Sequence, residues 1–85
     1  MPVFSRFFGI VVFMHWNDHL PPHFHARYGD FEGMIGLDGV VLEGNLPRRA
    51  LALIKEWRSL HAEALQENWE RVRSREPLIE IEPLE

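Results

Sequence analysis

The sequence contains no cysteine among its 85 residues. That excludes a disulfide framework and any zinc site built on thiolates, so a metal would have to be held by histidine and carboxylate ligands. The same absence suits a reducing compartment, and the expected location is the cytoplasm. A long apolar run is missing as well. The stretch Phe7-Phe8-Gly9-Ile10-Val11-Val12-Phe13-Met14 stops at His15, well short of the roughly 20 residues that span a bilayer. No small-residue cleavage pattern accompanies it, so neither a secretory leader nor membrane association is expected. Nor is there an excess of positive charge. A formal net charge of −4 argues against a nonspecific coat for nucleic acid. The basic residues gather at Arg48-Arg49 and at Arg71, Arg73 and Arg75, where they suit solvated helix ends or local phosphate contacts. No internal repeat, linker or low-complexity segment is visible.

What is present describes a folded chain. Hydrophobic residues make up 46% and aromatic residues 12% of the sequence, too much apolar surface for a disordered one. A chain of this length makes one domain, 1–85, with a small core, and covering its remaining apolar surface favours self-association into a homo-oligomer or a protein partner.

Residues 7–14 are rich in β-branched and aromatic side chains and predict a central strand buried on both faces, with Gly9, Val11, Phe13 and His15 on one side. Two turn signatures then set the register of a meander. Gly29-Asp30 fits a two-residue type II′ hairpin and Asp38-Gly39 a type I′ hairpin. The first places Tyr28 opposite Phe31, Ala26 opposite Gly33 and Phe24 opposite Ile35. The second places Leu37 opposite Val40 and Ile35 opposite Leu42. Both put these residues on one apolar face, which is expected to be the core. The other face then carries Arg27 opposite Glu32, His25 opposite Met34 and His23 opposite Gly36, and is expected to remain accessible.

Pro47 suits a helix start, with Asn45 or Leu46 near the cap. From there Ala50, Leu51, Ile54, Trp57, Leu60 or His61, Ala64, Leu65, Trp69 and Val72 recur at helical spacing. A single helix over residues 47–74 would be about 42 Å long, too long for so small a domain, and a break at Ser59-Leu60-His61 predicts two helices. Glu76-Pro77 ends the second, and the alternation Leu78-Ile79-Glu80-Ile81-Glu82 predicts a short edge strand stopped by Pro83. The predicted fold is α+β: a small antiparallel sheet of four to five strands packed on one face by two helices.

Chemistry is suggested by one block, Trp16-Asn17-Asp18-His19-Leu20-Pro21-Pro22-His23-Phe24-His25-Ala26-Arg27-Tyr28, which holds three of the five histidines. Pro21 and Pro22 stiffen the entry into a strand at His23. Strand alternation then puts His23, His25 and Arg27 on one face, and Asp18 and His19 precede the prolines in a polar turn that can fold back over it. Three roles are open to these residues. They are surface positions shaped by the prolines; or they are catalytic, with one imidazole as general base, another as general acid, Arg27 stabilising a phosphorane, and RNA as substrate; or His23 and His25 bind a divalent metal with His15, His19 or Asp18 as third ligand. Trp57 and Trp69 fall on the helix stripe and are expected in the core, and Arg27 has a mundane partner in Glu32.

The block Asp18-His19-Leu20-Pro21-Pro22-His23-Phe24-His25-Ala26 and the segment Arg6-Phe7-Phe8-Gly9-Ile10 resemble a bacterial family catalogued as domain of unknown function 4160. Leu20 stands where Pro or another variable residue is expected. The resemblance extends to Leu42-Glu43-Gly44-Asn45-Leu46-Pro47-Arg48-Arg49-Ala50, to Glu67-Asn68-Trp69-Glu70 and to Ile81-Glu82-Pro83-Leu84. It implies no established activity. It does imply a gene often placed beside that of another small protein, in pairs proposed to be toxin–antitoxin-like modules. The expected function is therefore a partner-binding component of such a module, whose partner is the neighbouring gene's small product. The alternative is a metal-independent RNase-like or metal-dependent hydrolase acting through the histidine face.

Overall fold

Five strands and two helices follow one another in a computed structural model that describes residues 2–85: β1 (Val3–Phe7), β2 (Ile10–Phe13), β3 (His23–Tyr28), β4 (Phe31–Gly36), β5 (Val41–Gly44), α1 (Arg48–Leu60) and α2 (Ala62–Arg73). The strands form one antiparallel sheet in the order β1-β2-β3-β4-β5, so the fold is α+β. No helix among the described residues is long and apolar enough to cross a membrane.

The β3–β4 hairpin pairs as the Gly29-Asp30 turn dictates, with Tyr28 opposite Phe31, Ala26 opposite Gly33, Phe24 opposite Ile35 and His23 opposite Gly36. Gly29 has φ +60° while Asp30 is not in the left-handed region, the combination a type II′ turn requires. The predicted β4–β5 register holds only in part. Met34 faces Glu43 and Gly33 faces Gly44, but Ile35 pairs with Val41 rather than Leu42, across a break in register. The predicted type I′ turn at Asp38-Gly39 is replaced by a wider one. Asp38 keeps a negative φ, its carboxylate accepts from the Val40 N–H at 3.1 Å, and the Gly36 N–H donates to Val40 O at 2.8 Å. The side chain of Asp38 thus does locally what an isolated two-residue loop would otherwise do. Of the face expected to be core, Phe24, Ala26 and Ile35 are buried, whereas Tyr28, Phe31, Val40 and Leu42 near the turns and the edge remain exposed.

Residues 7–14 are not one strand. The chain reverses at Phe8-Gly9, both with positive φ (49° and 80°), and separates β1 from β2. Phe8 is an unusual occupant of that conformation and is exposed, which is why the turn is invisible to a search for turn-forming residues. The break between helices falls at His61 as predicted, but α1 starts later than its cap residues suggested, with Pro47 itself as N-cap. The C-terminal segment is extended without forming a ladder strand. It touches β1 through the Ile81 N–H, which donates to Phe4 O at 2.9 Å, and through the Ser5 hydroxyl, which donates to Ile81 O at 3.0 Å. Alternation buries Ile81 while the neighbouring prolines, which lack N–H groups, prevent a continuous ladder.

Trp57 of α1 is the centre of the core. It is fully buried against the rings of Phe4, Phe7 and Phe24, with centroids 6.5, 5.2 and 5.8 Å away, and its indole N–H donates to Glu82 O at 2.8 Å. Ile54, Leu65, Trp69 and Val72 complete the helical side of the same cluster. The opposite face of the sheet is not the accessible surface the alternation predicted. His23 and His25 are only 3% and 7% exposed, because the chain between β2 and β3 crosses back over them and carries Asp18 into contact with both. Strand alternation identifies which side chains share a face and is silent about what covers it.

Candidate functional site

Three of the singled-out residues come together. Asp18 Oδ1 lies 3.3 Å from His23 Nε2, and His25 Nε2 lies 3.3 Å from both oxygens of the same carboxylate. The strand supplies the two imidazoles at alternate positions, and the loop supplies the acid. Asp18 is held by the backbone: the His15 N–H donates to Oδ2 at 2.9 Å. His23 is held by the backbone as well, its Nδ1–H donating to Pro21 O at 2.8 Å. A carbonyl can only accept, so that contact puts a proton on Nδ1. The other ring nitrogen, Nε2, is left to face the interior. It is buried, it points toward Asp18, and its approach to the carboxylate lacks hydrogen-bond geometry, so it has no hydrogen-bond partner among the described residues.

Aromatic contacts fix the rings. His25 stacks on Phe13 at 5.2 Å with 12° between planes, and lies edge-on to His15 at 4.5 Å and to His23 at 5.0 Å. Trp69 of α2 closes on His23 at 5.4 Å. Burial, the strongest influence on His25, pulls its pKa below the ordinary imidazole value against the opposing effect of Asp18. For Asp18 burial acts upward, but the His15 N–H and the contacts with His25 and His23 outweigh it and leave the carboxyl below the usual range. The electrostatic outcome is an Asp18 carboxyl biased toward its ionised form beside a His25 ring biased toward its neutral form.

His19 and Arg27 do not join this cluster. His19 is exposed in a groove with Trp16, Asn17, Asp18, Leu20, Arg73 and Arg75. Arg27 lies over the Phe13 ring, 5.8 Å from its centroid, and makes no ion pair with Asp18 among the described residues. His15, the nearest additional imidazole, is exposed beside His25.

Two participants escape a sequence search. Trp69 belongs to the helix stripe, yet one ring also packs on His23, a dual role that periodicity cannot reveal. Pro21 O acts through its backbone, and only its position two residues before His23, at the end of a stiff dipeptide, hints that it can orient the ring.

The two edges of the sheet differ from each other. The C-terminal segment covers β1, but β5 is exposed along its whole length, with no backbone hydrogen bond to its outer side among the described residues. Val40 and Leu42 also line an apolar groove with Pro21, Pro22, Leu37, Asp38 and Gln66, so the open edge runs up to the prolines that precede the histidines.

A family model described as "Domain of unknown function (DUF4160)" matches residues 9–70, a span that contains the whole Asp18–His23–His25 cluster and β5. No match is found among curated proteins or among solved structures. With well over half of its length matched, including every residue of the cluster, the chain belongs to the domain of unknown function 4160 family.

Proposed function

We propose that this protein is the partner-binding component of a toxin–antitoxin-like pair in the bacterial cytoplasm, and that it receives the small product of the neighbouring gene along β5. The observation behind this reading is the asymmetry of the sheet. One edge is bonded to the chain's own C-terminal segment, whereas β5 has no backbone partner on its outer side among the described residues, with Val40, Val41 and Leu42 at 55%, 38% and 39% exposure. An open apolar edge is a template for adding a strand, and proteins that have no use for one generally blunt it. Glu43 supplies the only charge within β5, too little to repel a strand of mixed composition.

RNA cleavage by metal-independent acid–base catalysis has less support. It needs Arg27 beside the imidazoles and at least one ring open to substrate, whereas Arg27 packs on Phe13 and both rings are buried.

The test is light scattering of the purified chain alone and mixed with the neighbouring gene's product at micromolar concentration. The expected result is a stable heavier species in the mixture, weakened by Val41→Lys. Strictly monomeric proteins in both samples would contradict the proposal, and a homo-oligomer that ignores the neighbour would reassign β5 to self-association.

A further inference from the structure

We propose that Asp18, His23 and His25 form a binding site for one divalent transition-metal ion of the zinc class, with both histidines ligating through Nε2 and one position left for solvent or a further ligand. The proposal is independent of the partner-binding function and concerns the opposite end of β3 from the Gly29-Asp30 turn.

The spacing of the donors comes first. A tetrahedral ion with ligands at about 2.0–2.1 Å has ligand-to-ligand edges of about 3.3–3.4 Å. The separations from Asp18 to His23 Nε2 and to His25 Nε2 are each 3.3 Å, and one donor atom from each of the three residues lies within 4.8 Å of the other two. The second observation is the partnerless Nε2 of His23, buried and aimed at the carboxylate. A buried ring nitrogen without a hydrogen-bond partner is a costly arrangement, and a cation between it and the carboxylate removes the cost. The third is the orientation of the ligands from outside. Metal-bound imidazoles characteristically donate their other N–H to a carbonyl or carboxylate, which fixes the tautomer. His23 already does so to Pro21 O, and Asp18 is anchored by the His15 N–H.

The donor chemistry selects the metal class. Two nitrogens and one oxygen with no sulfur suit zinc, cobalt, nickel or copper better than calcium or magnesium, which prefer all-oxygen shells. Three protein ligands with an open position are the pattern of ions that bind a water or substrate rather than of purely structural sites.

The full-length protein, stripped with chelator, is titrated with Co²⁺ and separately with Zn²⁺. Uptake of one equivalent is expected, with a tetrahedral cobalt absorption band that Zn²⁺ displaces. Asp18→Asn, His23→Gln and His25→Gln should each weaken binding at least about 10-fold, while His19→Ala and His61→Ala leave it unchanged. Because a variant at a buried position can fail to fold, histidine ¹⁵N NMR of the unaltered protein decides the matter independently. Zn²⁺ should shift the Nε2 signals of His23 and His25 and leave His23 Nδ1 protonated. Absence of stoichiometric uptake, or shifts confined to His15, His19 and His61, would overturn the proposal.

Discussion

Asp18 is the residue on which the histidine face closes, and its role is separable from its charge. Its carboxylate accepts the His15 N–H, reaches His25 with both oxygens and faces His23. Replacement by Ala removes the bonds from His15 and His25 at once and leaves the buried His25 ring without its partner. The expected loss is about 1–3 kcal/mol in the metal-free protein, read as a lower urea midpoint with an unchanged slope. Asp18→Asn, which retains an acceptor for His15, should cost less. Equal stability of the wild type and the Ala variant would mean that the loop is not held by this residue. Part of this arrangement is legible in the sequence, since a polar turn before Pro-Pro can carry an acid back over the i and i+2 histidines. The burial of the rings is not legible, because it depends on the path of residues 14–22 and on Trp69 arriving from a helix far along the chain.

Among the elements, the β3–β4 hairpin is the part the amino-acid pattern determines most completely, because Gly29 supplies the positive φ that its turn needs and each flanking pair follows from it. The neighbouring connections resist such reading for local reasons. Phe8 takes a left-handed conformation that its type disfavours, and Asp38 bonds to the Val40 N–H and widens a loop that Asp38-Gly39 alone would make tight. The C-terminal segment alternates like a strand but is held largely by side chains. Asn68 of α2, fully buried, donates to Ile79 O and accepts the Ile79 N–H, both at 2.9 Å. It thus offers the segment the pair of bonds that a neighbouring strand would offer. Asn68→Ala should therefore destabilise the protein by about 1–3 kcal/mol and accelerate hydrogen exchange at the Ile79 amide well before global unfolding. An Ile79 amide that exchanges at the same rate in both proteins would show that the segment is held without Asn68.

At the scale of the whole molecule, the chain uses its own C-terminus to finish one side of the sheet and leaves the other side unfinished. Ile81 and Leu84 are buried against the core, and Trp57 secures the same segment through Glu82 O. Among the described residues no equivalent covers β5, although Val40, Val41 and Leu42 are as apolar as the residues that Ile81 and Leu84 accompany into the core. A small domain has little stability to spare for exposing such surface without a purpose. The most direct measurement is amide hydrogen exchange along β5, made on the free protein and after addition of the neighbouring gene's product. Rapid exchange of the outward-facing amides within Val41–Gly44 is expected in the free protein and strong protection in the complex, with the Ile81 amide at the opposite edge unaffected. A complex that leaves β5 unprotected while protecting another surface would contradict that expectation.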